Sequence, residues 1–82
     1  MTPNQYAEAQ QIAHVVSTMP AALQLARSDR GIALFINNPA TSFWLRDALK
    51  AALNRDALDA LADARTLAAL LEARVAALTA GL

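Results

Sequence analysis

IALFINNPATSFWL, residues 32–45, holds three of the four aromatic residues of the chain, Phe35, Phe43 and Trp44, and its reading decides the fold. Taken alone, Ile32 to Ile36 alternates as a strand does, with Ile32, Leu34 and Ile36 on one face. Taken with the residues before it, the same stretch ends a helix that begins after Pro20. That helix carries Leu25, Ile32 and Ile36 on one side and Leu23 and Leu34 nearly opposite. A lone strand with no second strand to pair would leave its backbone groups unsatisfied, which favours the helix. A break is expected near Asp29 to Gly31, unless Gly31 serves instead to let a neighbour approach closely. A two-sided helix of this kind sits at the centre of a bundle or against another subunit.

Asn37-Asn38-Pro39 closes the segment. Asn38 as a cap and Pro39 at the first helical position predict a following helix that runs to about Leu53, with Asn54 at its end. Leu45, Ala48, Leu49, Ala52 and Leu53 form its apolar face, and Arg46, Asp47 and Lys50 lie opposite. Phe43 falls on the polar side and Trp44 on its flank.

Working outward, Thr2-Pro3 reads as an N-cap and first helical position, and predicts a first helix to about Thr18. Ala9, Ile12, Val16 and Met19 share one face with Val15 beside them, while Gln10, Gln11, His14 and Thr18 share the other. Pro20 stops this helix or opens the next. Towards the C-terminus, one straight helix over residues 57–82 would turn Leu58 and Leu61 about 110° away from the mean direction of Leu67, Leu71, Val75, Leu78 and Leu82. Asp63 is a competent N-cap at that phase shift. The expectation is therefore a short helix from Ala57 to Ala62, then a second from Ala64 to about Thr79, with Gly81 as a stop and Leu67, Leu71, Val75 and Leu78 largely buried.

The fold class that follows is all-α, a small bundle of four to five helices in a single helical domain over residues 1–82. Two glycines, three prolines and an excess of alanine and leucine point the same way. At 82 residues, a domain buries only about 60% of its unfolded surface and usually draws on disulfides, a metal or a partner subunit. The chain has no cysteine, which removes disulfides and thiolate metal sites. Oligomerisation is the remaining support.

Seven basic and seven acidic residues leave a formal net charge of zero, which argues against nucleic acid and against polybasic membrane attachment. The first twenty residues contain Asn4, Gln5, Glu8, Gln10, Gln11 and His14 where a signal peptide needs an apolar run. The stretch from Leu67 is too short and too charged to cross a bilayer. A cytoplasmic protein is expected.

Chemistry-bearing clusters are sparse. His14, the only histidine, lies among glutamines and reads as a solvated side chain. Asp56, Asp59 and Asp63 are spaced to share one helical side, yet two of them serve better as N-caps than as ligands of a hard cation. Arg27, Arg30, Arg46 and Lys50 are interleaved with Asp29 and Asp47, as on a solvated face with local ion pairs. No phosphate loop, zinc-ligand cluster or nucleophile motif occurs, so neither an enzyme nor a cofactor or metal is expected.

Phe43 and Trp44 point about 100° apart, so both are enclosed only where the helix start is covered on two sides or by a partner. The functional expectation is a protein-protein interaction module that forms a homo-oligomer or binds a larger protein partner. Leu23, Leu34, Phe35, Phe43 and Trp44 are its partner-binding residues. The alternative is a small DNA-associated regulator using the second and third helices.

Overall fold

The computed structural model describes residues 3–81, and every regular element among them is an α-helix. They are α1 (Pro3–Ser17), α2 (Ala21–Asn37), α3 (Phe43–Ala52) and α4 (Ala57–Ala80). The expected Thr2 cap lies outside the described residues. The chain divides into two compact units, Met1–Lys50 and Ala51–Leu82.

In the first unit, three residues connect α1 to α2, so the two helices return antiparallel. The turn closes on itself. Thr18 and Met19 donate their N–H groups to the carbonyls of Val15 and Val16, and the Gln24 side chain donates to the Met19 carbonyl at 3.0 Å. α1 turns Ala9, Ile12, Val15 and Val16 inward, as its periodicity predicts. Gln5, one turn earlier on the same stripe, is buried as well.

α2 departs from expectation twice. It runs without a break through Asp29 to Gly31, and the side it buries is Gln24, Ser28, Gly31, Ile32 and Phe35. Leu25 stands 72% exposed. The reason is close approach: a Cβ built on Gly31 would lie 2.9 Å from Cγ2 of Ile12. The missing side chain makes a notch for the branched one, and small residues around it bring the two backbones together.

α3 starts at Phe43, later than Asn38-Pro39 suggests. The Asn38 side chain accepts from Ala40 N at 2.9 Å, and its carbonyl accepts from Thr41 N at 3.0 Å, so Asn38 and Pro39 build a turn. Ser42 is the actual cap, its hydroxyl accepting from Leu45 N at 3.1 Å.

In the second unit α4 is one continuous helix of 24 residues, which overturns the expected split at Asp63. Asp56 caps it, accepting from Asp59 N at 3.1 Å. Asp63 instead accepts from Arg55 Nη2 at 2.7 Å, and the alanines on either side of it carry the helix through. The phase conflict between its two apolar sets does not arise, because none of their members among the described residues is buried. Leu67 and Leu71, expected in the core, are each 43% exposed, and Val75 and Leu78 more so. Gly81 follows as the C-cap.

Candidate functional site

Two polar devices shape the first unit before any large side chain does. Gln5 Nε2 donates to Thr41 Oγ1 at 2.9 Å, both residues being buried, and ties the start of α1 to the α2–α3 turn. Arg46, expected on a solvated face, is half-buried and spans that turn. Its Nε donates to the Ile36 carbonyl at 2.8 Å, and its Nη2 to the carbonyls of Asn38 at 3.0 Å and Thr41 at 3.2 Å. One planar guanidinium thereby serves the final carbonyls of α2 and the turn after it, groups with no intrahelical donor. The same guanidinium carbon sits 5.4 Å from the centre of the Phe43 ring.

On this frame an open groove of about 500 Å³ runs between α1, α2 and α3. Its apolar lining comes from Ile12, Val16, Ile32, Phe35, Leu45 and Leu49. Ser17, Gln24 and Ser28 supply polar edges. A groove of this composition accepts an apolar side chain or helix face, and it holds no cluster of acid, base and nucleophile.

The five residues expected to bind a partner do not form one patch. Phe35 is half-buried and lines the groove. Leu34, the next residue back, lies over a shallow depression with Val15, Arg27 and Arg30, and Leu23 borders another with Met19 and Ala26. Phe43 and Trp44 stand at the start of α3, 80% and 62% exposed. Four of the five thus face solvent.

The basic quartet is not a uniform patch either, since Arg46 is engaged with carbonyls while Arg27 and Arg30 lie exposed on α2. Of the three aspartates, Asp56 caps α4 by accepting from the Asp59 N–H, and Asp63 pairs with Arg55. Among the described residues, no group of three or more His, Cys, Asp or Glu side chains is placed to hold a metal ion. His14 is exposed. No helix among them is long and apolar enough to cross a membrane.

Sequence reasoning missed Arg46 and the Gln5–Thr41 pair. An arginine two residues before two helix-favouring apolar positions gives no sign of the carbonyls it will meet, and a glutamine in a polar run gives no sign of burial. The same reasoning missed Ser42 as well, having placed the cap at Asn38, although a serine directly before a helix start is a cap signal. Comparison with known protein families, curated proteins and solved structures finds no match for this chain.

Proposed function

We propose that this chain is a protein-protein interaction module whose first partner is a second copy of itself. One observation carries the reading: among the described residues no hydrophobic side chain is buried, while fourteen large ones are exposed. Ordering a backbone costs about 1–2 kcal/mol per residue, and burial of a large apolar side chain returns about 1.5–3 kcal/mol. A chain that leaves these side chains in water lacks the main term that offsets ordering. Association supplies it.

In this reading the exposed Leu23, Leu34, Phe43 and Trp44 contribute to such contacts, and Phe35 through the groove. A larger protein partner offering an apolar helix face meets the same requirement. The zero net charge and the engagement of Arg46 with carbonyls favour protein over DNA. The test is molar mass by light scattering at micromolar concentration, for the wild type, W44A and an exposed control, Q10A. The wild type should exceed the monomer mass. W44A should weaken the assembly by about 2 kcal/mol or more and Q10A should leave it unchanged. A monomeric wild type that forms a sequence-specific DNA complex at physiological salt would reverse the ranking.

A further inference from the structure

An apolar stripe runs along α4 with its leucines and valine exposed, and we infer that it pairs antiparallel with the same helix of a second copy, about a two-fold axis between Ala68 and Ala69. This rests on the self-association reading and adds to it a second contact on α4, with its own partner and direction. Ala60, Ala64, Leu67, Leu71, Val75 and Leu78 fall within an arc of roughly 100° along the helix. All but Ala60 are exposed. Ala68, Leu71, Glu72 and Val75 border a shallow depression on α4, at i, i+3, i+4 and i+7. Four residues at that spacing form the hole that receives a side chain from a facing helix.

The direction follows from volume. The N-terminal half of the stripe is small, Ala60 and Ala64, and the C-terminal half is large, Leu71, Val75 and Leu78. A parallel pair sets alanine on alanine at one end and crowds leucine and valine at the other. An antiparallel pair sets the large half of each copy against the small half of its partner, which fills the seam evenly.

Charge fixes the register. Asp63 and Arg74 border the stripe on one flank, and Arg65 and Glu72 border it on the other. In an antiparallel pair each flank meets the same flank of the other helix. With the axis between Ala68 and Ala69, Asp63 stands level with Arg74 of the partner subunit, and Arg65 stands level with Glu72 of the partner subunit. Each opposite pair has no axial offset, and the nearest like charges on the same flank are separated by about 10 Å along the axis. The Arg55–Asp63 pair, with both side chains about half exposed or more, is weak enough to share Asp63 with a second arginine. A seam of one helix on one helix is small, so its dissociation constant should fall in the micromolar range.

The test uses full-length chains in sedimentation equilibrium, with circular dichroism to confirm helicity. Asp63→Arg and Arg74→Asp each place like charges opposite one another twice in the dimer, and each should weaken association roughly tenfold. Their equimolar mixture should recover wild-type affinity. In the mixed dimer the antiparallel seam sets the arginine introduced in one variant against the aspartate introduced in the other, and the native contact between Asp63 and Arg74 persists at the second site. The double variant D63R/R74D, which exchanges the charges at both sites, should recover as well. In a parallel seam the substituted residue 63 meets Arg65, and the mixture stays weak. R65E and E72R, alone and mixed, repeat the experiment on the other flank. R55A, which removes only the internal pair, should leave association unchanged. Single variants as tight as the wild type, or a mixture as weak as its components, overturn the antiparallel seam. A dimer indifferent to these charges and weakened by W44A overturns it while self-association stands. A monomeric wild type at roughly 200 micromolar, well above a micromolar constant, overturns both.

Discussion

α4 is far richer in alanine and leucine than the α1–α2 hairpin, yet it is the hairpin that has acquired internal structure and α4 only length. In the hairpin the specific contacts are made by a glycine notch, a glutamine–threonine hydrogen bond and an arginine on three carbonyls. The large leucines stay outside in both regions. Geometry in the first unit is therefore set by small and polar groups, and the apolar surface is left over for association. In α4 the side-chain interactions are an N-cap, one exposed ion pair and the hydroxyls of Thr66 and Thr79 on carbonyls of their own helix, and the helix relies on alanine propensity and length.

The contrast is most sharply broken at Gly31. Gly31→Leu forces a side chain onto Ile12 where even a Cβ is too close, and should cost about 3 kcal/mol, read as a lower urea midpoint followed by helical circular dichroism. A wild-type midpoint would show that the notch does not hold the hairpin. Arg46→Ala comes next, at about 2 kcal/mol, since three carbonyls each lose the hydrogen bond from the guanidinium. Arg46→Lys should recover little of that in the same assay, because an ammonium cannot reproduce the planar fork.

In α4 the same scale of truncation should do far less to a dilute chain. Leu71→Ala should cost under about 1 kcal/mol at low concentration, against the roughly 2–5 kcal/mol of a closed core site. The deficit should grow as protein concentration rises, which thermal midpoints at two concentrations will read. A full core-sized loss in the dilute chain would erase the distinction between the two regions. The smallest effect is expected at Arg55→Ala, about 0.5 kcal/mol or less, because both partners of its ion pair are well exposed.

Helix identity was legible almost throughout. Ile12 and Val16 marked the inner face of α1 by period alone, and Pro20, Asp56 and Gly81 fell at element ends as their chemistry directs. What failed were choices between two valid local signals. Asn38-Pro39 reads as a helix start, but the cap is Ser42, which follows a turn that Arg46 reaches across from the next helix. Asp63 is a good cap in isolation, and nothing local reveals that Arg55 will meet it. Gly31 was recognised as either a break or a close approach; Ile12, nineteen positions earlier, settles it. The groove was not legible, because it needs the packed hairpin and α3 together. The candidate residues were legible as apolar and aromatic, and their dispersal over separate faces was not.

The Gly31 notch also determines how the hairpin is able to slip. Two alanine-rich helices lying side by side have many nearly equivalent alignments, and sliding one past the other by a turn normally exchanges one set of smooth contacts for another. Here the branched methyl of Ile12 has a single resting place on α2. Four residues either way along that face stand Arg27 and Phe35, each bearing the carbon that Gly31 lacks. The notch is a detent: the pair clicks into one alignment, and any shear along α1 must first lift the helices apart.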